Sequence, residues 1–569
     1  MDPLSIGSSA LSLNQRFEET EEQKSEDAFR EVITSCRSLS TYEPNNLNSA
    51  LPQIFAATTA ASFHIVIGIS LAFSAVFVPQ VEDEDSDLRL TVTQTSWISS
   101  IIVLSVPVGC LIAAILMEWL GRLKTIKLAA IPCVMGWLLI ANATSMDLDV
   151  LSTFWVILFG RILTGLGSAI GTSPAIVYIT EVARPDLRGS LISAAPTLAS
   201  LGMVISYAKG AFMGWRMLAW LSIIYTIVPV IFIHIFVPES PVWLVSKGSI
   251  EEAARSLKFL YKNYPQPEHT AQSLSDMHLT SLQREKEKNF RGKNMPKNFS
   301  VTSFTPMQSE GFRSSKWAGF FRPTGYKPMI ILFFLFLIQQ FSGIYITLFY
   351  AVTFFNDIGS KVNAYHVSIC IGITRFVMSL CNAWFLKKFK RRPLVMVSGI
   401  GMAIVMFISG TFTKWIKDGT SQQAWVPVVC MLLYVCFSMV GLLTIPWTMT
   451  AELFPNEIRG VAHSISYSMA NILMFVAINV YRDLTKFLGG SHAIQYFFAG
   501  VSIIAVFFAL LFLPETFGKK LSEIEDHFRG KSKPKTTTKP KKPIHNRKPK
   551  QTLQTVNESE KMMNGAENV

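Results

Sequence analysis

The chain has 569 residues, of which 50% are hydrophobic and only 16% charged, too little polar surface to cover a soluble globule of that size. A formal net charge of +13 does not indicate nucleic acid, because the surplus gathers in short loops and one terminal stretch. Seven cysteines without CxxC spacing imply neither a disulfide framework nor a metal site.

Residues 1–53 are polar and mixed in charge, with no short apolar core behind basic residues, so they read as an uncleaved tail. Crossing a bilayer core takes about 20 apolar residues, and such runs fall at 54–80, 96–117, 125–146, 152–180, 190–213, 217–237, 327–356, 363–386, 392–414, 424–450, 458–482 and 492–513. Twelve spans are predicted, six in 54–237 and six in 327–513, joined by a linker over 238–326 and followed by a tail over 514–569. Loops after spans 2, 4, 8 and 10 carry Arg122, Lys124, Lys127, Arg184, Arg188, Lys387, Lys388, Lys390, Arg391, Arg392 and Arg459, whereas the first loop on the other side carries Glu82, Asp83, Glu84, Asp85 and Asp87. Because Lys and Arg favour the cytosolic side, both termini and the linker are expected in the cytosol. The sequon Asn142-Ala143-Thr144 sits at the outer edge of span 3, too near the bilayer for glycosylation to be expected.

Span 4 opens on Gly160-Arg161 and continues through Gly165, Gly167, Ala169, Gly171, Pro174, Tyr178 and Glu181. Small residues at this spacing let helices approach closely in lipid, and packing is the expected role of the glycines. Arg161 is different: a buried guanidinium demands partners, so a polar group is expected beside it near the outer mouth. In the linker, Ser249 as N-cap, Glu251 and Glu252 in the first turn and Ala254, Leu257, Phe259, Leu260 and Tyr261 as an apolar side predict a helix over 249–262. The following 263–316, rich in Pro, Ser, Asn, Lys and Gln, reads as a flexible tether. Beyond the last span, 531–552 is rich in Lys and Arg and free of acids, a solvated tail or a contact for anionic lipid.

The chain repeats itself. Glu181–Gly189 (EVARPDLRG) returns as Glu452–Gly460 (ELFPNEIRG); the cluster Gly121, Arg122, Lys124 answers to Lys390, Arg391, Arg392; and Pro238-Glu239 answers to Pro514-Glu515. Two halves of one design, with acid and base recurring together at one face, suggest a carrier that rocks around its middle. Arg122, Glu181, Arg188 and Glu239 in one half, and Arg391, Arg392, Glu452, Arg459 and Glu515 in the other, are the candidates for a lock that holds the cytosolic side closed.

Six motifs in order around twelve spans, namely Gly121-Arg122-Leu123-Lys124, Gly160-Arg161, Pro238–Leu244, Gln339–Ile344, Ile445-Pro446-Trp447 and Pro514–Lys519, closely resemble the sugar porter family of the major facilitator superfamily over about 54–528. Gly68-Ile69-Ser70 through Pro79-Gln80, Ser96-Trp97-Ile98 and Pro196-Thr197 look most like its insect facilitated trehalose transporter group. The resemblance implies an all-α fold of twelve helices in two pseudo-symmetric halves, a hexose or disaccharide substrate, alternating access, and a sugar near Gln339 and Gln340 on span 7 and Trp447 on span 10. The chemistry agrees, since carboxamides both donate and accept toward hydroxyls and an indole offers an apolar plate for a sugar ring. Departures from the family pattern are Tyr345 in place of an Asn, Arg375 in place of an Asn on span 8, Met439 in place of an acid, Pro196 in place of a Gln, and Asn471 shifted by one on span 11. Tyr345, Arg375 and Asn471 therefore complete the candidate substrate set. In the second half Lys387 and Lys390 stand where an acid and Gly are usual, so the latch on Glu452 and Arg459 is expected to be the weaker.

No Asp or Glu falls inside the spans as drawn, and Ser74 stands where proton-coupled sugar porters carry an acid, so uncoupled transport is expected. No nucleophile–base combination, metal-ligand set or phosphate loop stands out, which argues against an enzyme and against a cofactor. The expected function is sugar uniport at the plasma membrane, trehalose first and hexose second, with the sugar and the bilayer as partners. Alternatives are a non-transporting sugar sensor or scaffold signalling through the insert and tail, and a carrier of a polyol or organic anion.

Overall fold

The computed structural model describes residues 47–529 apart from 84–85, 87, 144–148, 262–319, 359–362, 456–457, 518 and 520. Cys36, the insert over 263–316, Thr144 of the sequon, Glu84, Asp85, Asp87 and the basic stretch 531–552 lie outside the described residues. Among the described residues, twelve helices are long and apolar enough to cross a membrane: Ala50–Val81, Val92–Leu120, Arg122–Asn142, Val150–Val182, Leu187–Gly210, Trp215–Phe236, Pro323–Phe349, Ala364–Lys388, Arg391–Lys417, Trp425–Thr450, Val461–Leu488 and Ser491–Leu511, here spans 1 to 12. Leu111, Trp119, Phe159, Ile235, Phe407 and Leu511 are exposed on their circumference, a surface that lipid matches and water does not. The ends of the spans define a basic face, where Arg122 and Arg391 lie, and an acidic face, where Glu82 lies.

Within the first six spans, span 4 packs on span 3 and on both segments of span 2, and span 1 packs along span 5; within the second six, span 9 packs on spans 10 and 12. A Cβ on Gly160, Gly165, Gly167 or Gly171 would overlap Ile140, Ser105, Cys133 or Phe63 respectively, so the small face of span 4 is a packing surface. The two sets of six meet along span 5 against span 8 and along span 2 against span 11. In the second seam the segment Val92–Leu104 packs broadly on span 11 and Val106–Leu120 only sparsely, so the seam is tight toward the acidic face.

The linker helix runs Ile250–Leu260 with Ser249 at its N-cap position, where the hydroxyl makes no capping bond. It buries Ala253, Ser256, Leu257 and Leu260, while Ala254 and Phe259 are half-buried. The Ser256 hydroxyl donates to the Glu239 carbonyl at 2.7 Å, which fastens the helix to the basic face.

At that face the same device begins spans 3 and 9. The Glu239 carboxylate accepts from the backbone N–H groups of Arg122 (3.0 Å), Leu123 (3.0 and 3.1 Å) and Lys124 (3.3 Å), and Glu515 accepts from those of Arg391 (3.0 Å) and Arg392 (3.1 Å). A carboxylate at a helix start meets unpaired N–H groups and the positive end of the helix dipole. The residue before each helix differs. Gly121 has φ 99° and ψ 176°, a region essentially closed to other residues, and a Cβ there would lie 2.9 Å from a Glu239 oxygen; Lys390 has φ −68° and ψ 146°, which any L residue adopts. The second loop therefore has no backbone need for the Gly that Lys390 replaces. Gly121→Ala is expected to cost about 1–3 kcal/mol and Lys390→Ala about 0.5 kcal/mol or less, read as thermal stability in detergent; equal losses would contradict this account of the loop.

Candidate functional site at two broken helices

Spans 7 and 10 are each interrupted. Span 7 is helical from Pro323 to Phe341, turns through Ser342–Tyr345 and resumes at Ile346; Gly343 makes the turn at φ 92°, its α-carbon against the Phe498 ring. Span 10 is helical to Val440, turns through Gly441–Thr444 and resumes at Ile445-Pro446, where a proline fits the first helical turn. An interruption frees backbone groups that lipid cannot satisfy, and side chains take them up. Gln339 donates to the carbonyls of Leu442 at 2.8 Å and Leu443 at 2.9 Å, the Ser398 hydroxyl accepts from the Leu442 N–H at 3.0 Å, and the Tyr434 hydroxyl donates to the Ser342 carbonyl at 2.6 Å. Each break is thus closed by a side chain from the other helix.

This geometry sorts the expected sugar contacts. Gln339 is fully buried, both its N–H donors are used on span 10, and its Oε1 accepts from Gln340 at 3.2 Å, so its carboxamide is bound to the fold. Gln340, also fully buried, keeps Oε1 without a partner. Trp447 lies against Phe336 (ring centroids 4.9 Å apart) and Tyr467 (5.2 Å), and its indole N–H donates to the Tyr345 hydroxyl at 3.1 Å, so the donor expected to face a ligand is held by Tyr345. Arg375, half-buried on span 8, lies within electrostatic reach of Tyr345 and Tyr207; its Nε is buried without a partner, and no described residue forms an ion pair with it. Asn471 donates to the Tyr467 carbonyl one turn back at 2.8 Å and is 4% exposed. Its amide therefore serves its own helix, and Tyr467, which the sequence reading did not single out, stands between it and Trp447. An aromatic at four-residue spacing from Asn471 was the available signal.

Arg161 is fully buried and donates to the Ile98 carbonyl (3.3 Å), the Ser70 carbonyl (2.8 Å) and the Ser74 hydroxyl (2.9 Å), with the Phe73 ring 5.4 Å away. Its partners are dipoles of spans 1 and 2, and no carboxylate is among them.

The Glu–Arg repeat forms one ion pair in each half. Arg122 meets Glu181 through two nitrogens, Nη2 at 2.8 Å and Nε at 3.0 and 3.2 Å, and its Nη1 donates to the Met117 carbonyl. Arg391 meets Glu452 through Nη2 at 3.1 Å, donates to the Leu386 carbonyl, and leaves Nε without a partner, while Thr516 donates to the other Glu452 oxygen at 2.5 Å. In both, the arginine also ties to the carbonyl five residues before it. Both pairs lie inside one set of six rather than across the two. Arg188, expected beside Glu181, is exposed and donates to the Ala183 carbonyl at 3.4 Å; Glu181 is taken by Arg122 instead. Arg392 donates to the Ala509 carbonyl at 2.9 Å. Arg459 begins the helix that holds span 11, and its side chain lies outside the described residues.

Residues 50–528 match the model of the sugar (and other) transporter family. The chain belongs to that family. It is 30% identical over 483 residues to the facilitated trehalose transporter Tret1 of Apis mellifera ligustica, covering 84% of this chain and 88% of that one, and 29% identical over 490 residues to a facilitated trehalose transporter Tret1-2 homolog of Drosophila simulans, covering 85% and 92%. Among solved structures it is similar to the proton:xylose symporter XylE bound to 6-bromo-6-deoxy-D-glucose, with a TM-score of 0.63 at 20% identity over 84% of this chain and 100% of that one, and to an inward open conformation of the xylose transporter XylE from E. coli, with a TM-score of 0.61 at 20% identity over 84% and 98%. The fold is that of the major facilitator superfamily, and the chain is a multi-pass membrane transporter and not an enzyme.

Leaving two buried carbonyls unpaired is costly, about 1–3 kcal/mol each. Gln339→Leu is therefore expected to lower the melting temperature of the purified protein well below that of Gln340→Leu, which removes a group with an unused acceptor. The reverse ranking would show that Gln339 does not hold the two breaks together.

Proposed function

We propose that the protein carries a sugar across the plasma membrane by uncoupled alternating access, with trehalose as the first candidate and a hexose as the second, its basic face and both termini in the cytosol. The observation that carries the sugar reading is the buried, unused acceptor of Gln340, one helical turn on from Phe336, whose ring lies against Trp447 in an aromatic cluster with Tyr467 and the Tyr345 hydroxyl. A sugar supplies hydroxyl donors for the first and a C–H face for the second. The relatives' names point to the same solute class. The uncoupled reading is supported by the acids: Glu118, Glu181 and Asp483 lie in the last two turns of their spans, and Arg161 is satisfied by carbonyls and a hydroxyl with no titrating partner. The positive-inside preference supports the orientation.

Arg375 favours a second reading, a carrier of an organic anion, because a half-buried guanidinium without an acid partner offers a charge that an anionic solute would neutralise. Counter-flow of labelled trehalose in proteoliposomes separates the readings. Exchange competed by unlabelled trehalose and glucose is expected, together with net uptake in voltage-clamped cells that persists with a protonophore; binding without exchange, net uptake that collapses with the protonophore, or competition by carboxylates alone would overturn the sugar-uniport reading. In the same assay Gln340→Ala is expected to reduce exchange about tenfold or more, the size of a lost buried hydrogen bond, while lowering the melting temperature less than Gln339→Leu does. Unchanged trehalose selectivity in Arg375→Asn would remove Arg375 from the site.

A further inference from the structure

Among the described residues, one ion pair crosses between the two sets of six spans, and it lies on the acidic face. Glu82, the residue that ends span 1, is paired with Arg482 of span 11. Thr95 of span 2 donates to the same Glu82 oxygen at 2.8 Å, and Thr95 is held in place by the capping box of Thr91 and Gln94 at the start of that span. Both charged side chains are about one-fifth exposed. An acid at the C-terminal end of a helix is disfavoured by the helix dipole, so Glu82 depends on these partners. Below the pair, Asn479 donates to the Ser100 hydroxyl at 3.2 Å and Phe475 lies against Trp97 with ring centroids 5.5 Å apart. Phe475, Asn479 and Arg482 are spaced i, i+4, i+7, one face of span 11, and this face zips onto span 2 where that seam is tight. The pairs Arg122–Glu181 and Arg391–Glu452, by contrast, each stay within one set.

We propose that Glu82 and Arg482 are the gate of the acidic face: the pair forms when that face closes, and it must break for the solute to pass there. The inference rests on the alternating-access reading, and it moves the latch between the halves from the repeated Glu–Arg motifs to a pair in which neither partner belongs to the repeat. When the face opens, spans 2 and 11 separate and both charges must find water, so the pair weights the equilibrium toward the closed state. The Asn479–Ser100 bond and the Trp97–Phe475 contact separate in the same movement.

The test uses the full-length chain with its seven native cysteines replaced and Ser96→Cys introduced. Ser96 is 4% exposed beneath the gate, and reaction of the introduced thiol with a charged maleimide in micelles reports opening without any need for a substrate. E82Q and R482Q are each expected to speed labelling about fivefold, as loss of a partly buried pair would, and the exchanged pair E82R/R482E is expected to return the rate toward that of the parent. Unchanged rates in both single variants would overturn the proposal, and so would an exchanged pair that labels as fast as the singles. Trehalose counter-flow on the same variants separates the two levels: labelling that behaves as described while no sugar moves would refute the function and leave the gate standing.

Discussion

Two backbone carbonyls, those of Leu442 and Leu443, govern much of this structure. They are exposed by the turn in span 10, inside a bundle that lipid surrounds, where an unpaired carbonyl is not tolerated. Gln339 of span 7 takes both, and Tyr434 of span 10 answers by taking the Ser342 carbonyl at the turn in span 7. Two interrupted helices therefore become one unit. The turn in span 7 places Tyr345 against the Trp447 indole that follows the turn in span 10, and Gln340 is left beside Gln339 with an acceptor free. The site's shape is a consequence of how the breaks are satisfied.

Charge at the helix ends has a second role. Glu239 and Glu515 sit on the starts of spans 3 and 9, and Arg122 and Arg391 bind acids at the ends of spans 4 and 10. These groups knit each set of six at the basic face. The first half has the two-nitrogen pair and the second a single contact supplemented by Thr516, a geometry that gives the first half the stiffer corner. The cross-set ion pair lies at the opposite face, in Glu82 and Arg482. The proposed alternating access calls for this division, with bonds kept inside each half and bonds that break between them.

Much of the fold was legible because its signals are long or repeated. Twelve apolar runs near membrane length give the spans, and the acid–base repeat brings Glu181 near Arg122 and Glu452 near Arg391 or Arg392, but it also sets Arg188 beside Glu181, whose partner is Arg122. A polar partner for Arg161 was also readable, since a buried guanidinium must find an acceptor, and Ser74 is one of those it meets. Less was legible where the partner is backbone. Gln339 reads as a sugar contact because its carboxamide suits hydroxyls, but the carbonyls it meets are about 100 residues away and are freed by a turn that a run of apolar letters does not reveal. Asn471 is similar, its amide turned to the carbonyl one turn back. Glu82 and Arg482 carry no motif, and only the packing of span 2 on span 11 brings them together. The linker helix shows a finer limit: its period was visible, yet Ala253, rather than Ala254, faces the bundle.

Hydrogen–deuterium exchange over residues 439–446, compared between the native chain and Gln339→Leu, tests the central claim most directly. If Gln339 closes the break in span 10, the native segment is protected as strongly as the flanking helix, and the variant exchanges there faster while span 12 is unchanged. Equal exchange in the two proteins would contradict the claim that the two breaks hold each other closed.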